Sequence, residues 1–464
     1  MTLVVQAPAT YEPERRYILG VVLADWLGLD WRLEIRERSD VRITLEGEPG
    51  GVVLPDALFA TAADEWLKPA SYPRLPLPRA SVSASGSDAP IAGPLPILYG
   101  SPAPGSAVMV HDGESVHLGV DVFGGAFFML TRYEEVAESE RDRYGRFPAS
   151  SSVAGRAGLL SVPIVDEYVE VLWSALERCW PRLERVARSF EVVLSHDVDD
   201  PLATWGRSRA GIVRQLGADM LVRRDVGLAA RRVGSLAAPG PRGRRLDPHN
   251  TFDFLMDVSE RHGRRSAFYF LANREPSARD GHYRIEDPWI RLLIARVHGR
   301  GHEVGLHASF DSYRDPTRTS DEFTRLRAVA ERAGVRQEHW GGRQHYLRWA
   351  NPTTWRNWDE AGLGYDSTLA YADAVGFRAG TCHAYRVFDL ERRRPLALRE
   401  RPFQAMDATL FSYMSLSTDA ARNSVVELAA QCRRHRGSLG ILWHKLRSAG
   451  EKRWYESLVA AITS

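Results

Sequence analysis

The sequence predicts an α/β fold, a parallel sheet or a (β/α) barrel, preceded by a smaller α+β domain. From residue 189 onward, short apolar runs rich in β-branched and aromatic residues alternate with helical patterns, which is typical of parallel β/α units. Upstream, the strand-like and helical segments follow no such alternation. A chain of 464 residues is also too long for one ordinary hydrophobic core. We therefore expect two domains, at residues 1–188 and 189–464.

The first 188 residues carry only modest structural signals. Strands are expected at 41–45 and 51–54, and apolar residues at helical spacing predict a closing helix at 165–182. The segment 121–135, DVFGGAFFMLTRYEE, is apolar in its first half and is expected to be buried there. No group of catalytic residues is evident, so the role of this domain stays open.

The sequence of the C-terminal domain predicts a first strand followed by successive helix–strand pairs. An apolar run at 192–194 predicts the first strand. The helix–strand pairs that follow are 251–262 with 266–271, 288–297 with 302–306, 321–333 with 336–340, and 424–435 with 439–443.

One segment interrupts this alternation. Residues 205–245 contain ten arginines against Asp219 and Asp225, and several apolar residues share one helical face. A surface helical insertion with a solvated basic face is one interpretation. The other is a lid that lies on a membrane surface or over an anionic substrate.

Composition narrows the classes of function. The apolar fraction of 44% and the net charge of +2 are those of a globular protein and predict no nucleic-acid partner. No apolar run approaches the roughly 20 residues that cross a bilayer, and the first residues do not resemble a secretory signal. The widely spaced Cys179, Cys382 and Cys432 predict neither a disulfide framework nor a zinc finger. We expect a cytoplasmic protein.

Ionisable residues end the first predicted strand, in the string SHDVDD at 195–200. Charges at the end of a buried strand are costly unless they are paired, bound to a metal or open to a cleft. Asp197 and Asp199 are two residues apart, so an extended chain points them to one side. This suits one carboxylate as a metal ligand and the other as a base. An acidic turn that caps a helix is the alternative.

Polar clusters recur after other predicted strands. His307 is a natural ligand for zinc and similar ions, and Asp311 would lie on the same side if a helical turn begins there. Because carboxyl ends of parallel strands share one edge of a sheet, we expect the clusters to form one site. The other clusters contain Arg343, His345, Tyr346, Asp366, Arg378, Leu442, Trp443 and His444.

The order of these clusters resembles that of the polysaccharide deacetylases of the NodB-homology, carbohydrate esterase 4-like type. The resemblance covers about residues 190–450 and rests on the strings SHDVDD, EVGLHASFDS, RQHYLRW, YDSTLAYADAVGFRAG and LWH. It implies a distorted (β/α) barrel with a divalent metal. A divergent branch of this family carries an extra N-terminal domain that ends in sequence like FFMLTRYEE, as here.

The resemblance implies catalytic roles for matching residues. Asp197 corresponds to the general base and Asp199 to a metal ligand, although one residue separates acids that are adjacent in the family. Arg343 matches the arginine that orients the base. His444 matches the histidine that acts as general acid.

The resemblance also implies a metal site and a substrate site. His307 matches the first histidine of the metal-binding motif, but Asp311 stands where the second is expected, so either Asp311 or His345 is the third ligand. One divalent ion is implied, zinc first, with cobalt, nickel or manganese as alternatives. Leu442 matches the residue beside the acetyl methyl group. The residues expected to contact substrate are His345, Tyr346, Asp366, Arg378, Leu442 and Trp443.

These roles imply a metal-dependent hydrolase that removes an N-acyl group, acetyl in the simplest case, from a sugar in surface polysaccharide biosynthesis. A nucleotide-linked or lipid-linked carbohydrate is the expected substrate, with peripheral membrane contact through 205–245 left open. Two alternatives remain. One is a non-catalytic carbohydrate-binding relative, and the other is a metal-free glycoside hydrolase on the same barrel, which would use a carboxylate pair.

Overall fold

The computed structural model describes residues 1–82, 91, 93–100, 107–205, 207–238, 240–274 and 279–464. The strands are β1 (Thr2–Ala7), β2 (Asp30–Ile35), β3 (Asp40–Leu45), β4 (Gly51–Pro55), β5 (Arg79–Ala80), β6 (Leu95–Pro96), β7 (Met109–Asp112), β8 (Ser115–Leu118), β9 (Glu191–Val198), β10 (Ser266–Leu271), β11 (Glu303–Ala308), β12 (Gly341–Gln344), β13 (Tyr365–Asp366), β14 (Tyr385–Asp389), β15 (Arg394–Glu400), β16 (Ala405–Met406) and β17 (Ser438–Leu442). The helices are α1 (Glu12–Leu19), α2 (Val122–Leu130), α3 (Glu134–Ala137), α4 (Val153–Arg156), α5 (Ile164–Cys179), α6 (Arg209–Leu221), α7 (Val226–Ala237), α8 (Gly240–Leu246), α9 (Phe252–Arg261), α10 (Pro288–Gly299), α11 (Pro316–Arg332), α12 (Thr353–Glu360), α13 (Thr418–Arg434) and α14 (Ala449–Thr463).

The N-terminal half is built on a mixed six-stranded sheet of order β2-β1-β3-β4-β8-β7. β1 and β2 are parallel, as are β4 and β8, and the remaining pairs are antiparallel. Helix α5 begins one residue before the helix expected at 165–182 and ends three residues before its expected end. It packs against α2. Every residue of α2 is buried, as the apolar start of the segment 121–135 predicts.

The C-terminal half is built on a nine-stranded sheet of order β14-β15-β13-β12-β11-β10-β9-β17-β16. All strands are parallel except β14, and helices connect most of them, so the predicted parallel α/β organisation is confirmed. Across the described ranges, no strand pairing joins β14 to β16. The sheet is therefore not a closed barrel, because one edge strand runs antiparallel and the other has only two residues.

The prediction of a strand at 336–340 is wrong. The chain instead pairs at β12, whose sequence GGRQ has little intrinsic preference for a strand. Glycine is required here because a Cβ at Gly342 would lie 1.8 Å from the carbonyl oxygen of Leu306 on the neighbouring strand. Close packing in the sheet thus outweighs local propensity, and it places Arg343 inside the strand rather than after it.

The expected basic insertion is helical. It comprises α6, α7 and α8, which follow β9 and precede α9; Gly206 and Pro239 lie outside the described residues. In the part of the chain that the structure covers, no helix is long and apolar enough to cross a membrane.

Buried ion pairs join the two halves. Glu135 follows α2 and accepts hydrogen bonds from Arg378 at 2.6 and 3.0 Å and from Arg132 at 2.8 Å. Arg132 also donates to the backbone oxygen of Arg378. These side chains are almost completely inaccessible. Because a buried charge without its partner is strongly unfavourable, this group fixes how the halves pack.

Replacing Glu135 with Gln will test this junction. The substitution removes the negative charge between two buried guanidinium groups, so we expect the free energy of unfolding to fall by about 3 kcal/mol. Urea unfolding followed by fluorescence measures it. Glu12→Gln is the matched control because its pair with Arg16 is about half exposed and should contribute little. Equal effects of the two substitutions would contradict this account of the junction.

Candidate active site

A cavity of about 410 Å³ opens at the carboxyl ends of the central strands. Its lining includes Asp197, Asp199, His345, Leu442 and His444, which follow or end β9, β12 and β17. The volume is in the range of small-molecule sites. A larger cavity of about 670 Å³ lies toward the opposite strand ends, near Glu303 and Ser438, away from this group of ionisable residues.

Arg343 holds the carboxylate of Asp197. Its Nη1 donates to Asp197 Oδ1 at 2.8 Å, and its Nη2 donates to the hydroxyl groups of Ser195 and Ser367. Its Nε donates to the backbone oxygen of Ser367 at 2.7 Å. The side chains of Arg343 and Asp197 are at most 3% exposed. Asp197 is therefore fixed in orientation, with its Oδ2 left toward the cavity side.

His307, His345 and Asp199 converge on one point. The Nε2 atom of His307 lies 3.1 Å from Asp199 Oδ1 and 3.7 Å from Asp197 Oδ2. The Nε2 atom of His345 lies 3.6 Å from the same Asp199 oxygen. One ligand atom from each of these three residues lies within 4.8 Å of the others. The expectation that Asp197 and Asp199 point to one side is therefore confirmed.

The hydrogen bonds behind these histidines leave their Nε2 atoms free to bind a cation. His307 Nδ1 lies 2.9 Å from the backbone oxygen of Arg343, which can only accept, so Nδ1 carries the proton. His345 Nδ1 meets Asp280 Oδ1 at 2.8 Å in the same way. His307 Nε2 and Asp199 Oδ1 are buried and form no hydrogen bond despite their 3.1 Å separation. Two facing lone pairs suit a shared metal ion.

The electrostatic field of the site favours positive charge. Burial opposes ionisation of Asp199, but His345, His307 and His444 outweigh it and hold the pKa of Asp199 well below its usual value. Burial also lowers the pKa of His307, yet Asp197 and Asp199 outweigh it and raise that pKa. A proton or a metal ion is thus favoured at His307 Nε2. Two imidazoles and one carboxylate with room for another ligand fit zinc and similar divalent ions.

A second group with metal-ligand residue types is satisfied without an ion. It consists of Asp166, Cys382 and His383. The carboxylate of Asp166 already accepts from Thr381 Oγ1 at 2.6 Å, from the Cys382 amide at 2.8 Å and from its thiol. These bonds join α5 to the turn before β14, so we interpret the group as a structural contact.

His444 lines the cavity close to Asp199. Its Nε2 is 3.8 Å from Asp199 Oδ2, and its Nδ1 lies 2.6 Å from Asp407 Oδ1. Burial lowers the pKa of His444, but Asp407 and the other carboxylates outweigh it and raise the pKa to about 9. The imidazole is therefore able to carry a proton near neutral pH.

The structure separates the two candidates for a third metal ligand. His345 belongs to the converging group, whereas Asp311 does not. The side chain of Asp311 is 68% exposed and pairs with Arg348 at 3.0 Å. The helical turn that was expected to bring Asp311 beside His307 does not form, since β11 continues to Ala308 and a short helical turn begins only at Ser312.

The residues expected to contact substrate divide into two groups. His345, Tyr346 and Leu442 line the cavity. Arg378 does not, because Glu135 and the backbone oxygen of Ala370 occupy its guanidinium group.

Asp366 and Trp443 also lie outside the cavity lining. Asp366 is buried and accepts from Thr368, and burial raises its pKa to about 7. Trp443 packs against Trp454 and Tyr455 with ring centroids 5.5 and 5.1 Å apart. It lines a neighbouring groove of about 560 Å³ that also contains His444, Phe411 and Trp454.

Among the residues at or beside the cavity that were not expected from the sequence, four orient its histidines or form part of its wall. Asp407 and Asp280 orient His444 and His345, and both follow segments without a recognisable strand signal. Arg146 and Tyr413 line the cavity, and Arg146 Nη2 donates a hydrogen bond to the hydroxyl group of Tyr413 at 3.0 Å. Arg146 comes from the N-terminal half, in a charged loop that sequence alone does not connect to this site. His249 is also buried, with its Nδ1 atom 3.2 Å from the backbone oxygen of Asp200.

Residues 3–181 match the model of a family of unknown function (DUF7033). No curated protein matches the chain.

Similar solved structures exist at low identity. A chain from Mycobacterium smegmatis assigned as a polysaccharide deacetylase is 16% identical, with a TM-score of 0.39, over 60% of this chain and 85% of that chain. The Xyl-CE4 domain of a multidomain xylanase from the hindgut metagenome of Trinervitermes trinervoides is 11% identical, with a TM-score of 0.29, over 60% and 82%. Puue allantoinase is 12% identical, with a TM-score of 0.36, over 59% and 83%.

Metal content will test the ligand set. Purified protein equilibrated with zinc, cobalt, nickel or manganese should bind about one ion per chain, because His307, His345 and Asp199 supply three ligands. Alanine at His307 or His345 should reduce the bound metal, measured by mass spectrometry of the dialysed protein. Asp311→Ala is the control and should keep the ion. Loss of metal in Asp311→Ala with retention in His345→Ala would reverse the assignment.

Proposed function

We propose that this protein is a metal-dependent hydrolase that removes an N-acyl group, acetyl in the simplest case, from a sugar. The observation that supports this most is the arrangement around Asp199. A fixed carboxylate, Asp197, and a histidine able to carry a proton, His444, border one group of metal-ligand atoms. A divalent cation held by that group would supply Lewis acidity for the acyl carbonyl and the attacking water.

Asp197 is suited to act as the general base. The hydrogen bond from Arg343 fixes Oδ1, so Oδ2 faces the cation group and can take a proton from water. The water oxygen then attacks the carbonyl carbon of the amide.

His444 is suited to act as the general acid. When the C–N bond breaks, the departing sugar nitrogen takes the proton on His444 Nε2, because Nδ1 is already bonded to Asp407. The products are the free carboxylic acid and the amine. In one turnover Asp197 gains a proton and His444 loses one, so the net number of protons on the protein does not change.

The cavity wall supports a small acyl group. Leu442, Leu347 and Met406 form one apolar patch on its lining, where a methyl group would leave water at a favourable free energy. Beyond His444, the groove with Phe411 and Trp454 offers aromatic faces, which suit a sugar ring.

Charge at the cavity supports a phosphate-bearing substrate. Arg207 and Arg279 line it, and guanidinium groups bind phosphate through paired hydrogen bonds. A nucleotide-linked or lipid-linked sugar of surface polysaccharide biosynthesis carries such a group. We propose this class of substrate, with the protein acting in the cytoplasm.

The two alternatives predict different behaviour. A metal-free glycoside hydrolase needs one carboxyl group that keeps its proton, whereas the pKa of Asp199 is lowered by the surrounding histidines. A protein that only binds carbohydrate needs no proton donor, whereas here the contact with Asp407 favours the protonated form of His444. Both observations favour the amide hydrolase.

Acetate release from N-acetylglucosamine oligomers by the metal-loaded protein will test the reaction. Asp197→Asn and His444→Ala should each lower kcat by about 100-fold or more, because each removes a proton transfer, and Asp197→Asn should keep the metal ion. Asp311→Asn should retain activity. Equal activity of Asp197→Asn and the unmodified protein, activity that survives complete chelation, or cleavage of glycosidic bonds instead of amides would refute the proposal.

The pH dependence of kcat will test the role of Asp407. A general acid works only while protonated, so activity falls as pH rises through its pKa. Asp407 raises the pKa of His444, and Asp407→Asn should therefore move the basic limb of the profile to lower pH. Asp407→Glu should restore it in part. A lower kcat with an unshifted limb would mean that Asp407 only positions the ring.

A further inference from the structure

Positive charge is concentrated in the helical insertion. Residues 207–246 contain ten arginines and two aspartates, with no lysine or glutamate, which gives a net charge of +8. Because the whole chain carries +2, the remainder carries −6. We call residues 207–238 and 240–246 the arginine-rich segment. A protein of nearly balanced charge thus presents one strongly cationic element.

The same segment exposes large apolar side chains. Among the described residues, seventeen large hydrophobic side chains are exposed, and eight of them fall in α6, α7, α8 and the turn between α6 and α7. Leu221, the last residue of α6, and Val222, in the turn that follows, are each 80% exposed, more than any other of the seventeen. The other six are Val213, Met220, Val226, Val233, Leu236 and Leu246. A concentration of exposed apolar side chains in one segment points to an interaction site.

Helix α7 has apolar residues on two faces. Leu228 and Ala229 are buried and hold the helix on the protein. Val226 and Val233, seven residues apart and therefore on one side of the helix, are 66% and 52% exposed. The outer face has no counterpart in the described structure to cover it.

The arginines around these apolar residues are mostly uncompensated. Asp219 is buried between Arg223 and Arg232, and so accounts for two of them. Within the described ranges, no carboxylate forms an ion pair with five further exposed arginines. These are Arg209, Arg214, Arg224, Arg242 and Arg245.

We propose that the arginine-rich segment docks on an anionic membrane surface. Exposed apolar side chains that enter the interfacial region, flanked by arginines that meet lipid phosphates, are the two requirements for such binding. A nucleic acid would use the arginines but would leave Leu221, Val222 and Val226 in water. The apolar content of the segment therefore favours the membrane.

The attachment of the segment places the membrane near the cavity. The segment lies between β9 and α9 in the chain, and Arg231 donates to the backbone oxygen of Arg447, which lines the groove beside His444. Docking would hold the cavity close to the bilayer. The proposal does not depend on the reaction proposed above.

Sedimentation with lipid vesicles will test the docking. The full-length protein should bind vesicles of phosphatidylcholine with about one third phosphatidylglycerol, bind pure phosphatidylcholine much more weakly, and dissociate as salt is raised. The double variant Leu221→Asp, Val222→Asp should weaken binding by about tenfold or more because it removes the inserted side chains. Arg209→Glu with Arg214→Glu should do the same by reversing charge.

Leu292→Asp is the matched control. Leu292 is 66% exposed on α10, so it undergoes the same chemical change away from the segment and should bind as the unmodified protein does. Thermal unfolding of all variants verifies that they are folded. The proposal is overturned by absence of binding to anionic vesicles at low salt, or by equal binding of Leu221→Asp, Val222→Asp and the unmodified protein. Tight DNA binding that this variant leaves unchanged, without vesicle binding, would also overturn it.

Discussion

Arg343 is the residue on which the geometry of the candidate site depends. Its side chain fixes Asp197, and its backbone oxygen accepts from His307 Nδ1. One position in β12 therefore sets both the orientation of the carboxylate and the tautomer of a metal-ligand histidine. A fully buried guanidinium group is stable only when its donors are satisfied, and here Ser195, Ser367 and Asp197 satisfy them. The surrounding strands cannot shift without leaving this charge unpaired.

A fixed hydrogen-bond acceptor orients each of the three histidines of the site. Each has one ring nitrogen bonded to a fixed acceptor, which leaves Nε2 toward the cavity. The acceptors are a backbone oxygen for His307, Asp280 for His345 and Asp407 for His444. Such partners orient ligands and tune their basicity. They also explain why the Nε2 atoms of His307 and His345 converge on Asp199, since neither imidazole is able to rotate toward a different neighbour without breaking its own hydrogen bond.

Much of this site was predictable because parallel strands bring their ends together. Asp197, Asp199, His307 and His444 could be selected from polar clusters after apolar runs, since each strand makes that signal locally. Arg378 could not be excluded, because its partner Glu135 lies 243 residues away and no local pattern records the pair. The choice between Asp311 and His345 depended on how the chain turns after β11. Closure of the sheet depended on its two edge strands, of which β14 runs antiparallel and β16 has only two residues.

The N-terminal half contributes to the cavity itself, which the sequence does not indicate. Arg146 donates to Asp142, to the backbone oxygen of Tyr346 and to the hydroxyl group of Tyr413. Its side chain is only 6% exposed, so it forms part of the wall and braces the turn that carries His345. Tyr346 has a left-handed backbone, with φ of 61°, a conformation that a non-glycine residue adopts only when its surroundings enforce it. The contact from Arg146 is one such enforcement, and docking of the N-terminal half thus helps to position a metal-ligand histidine.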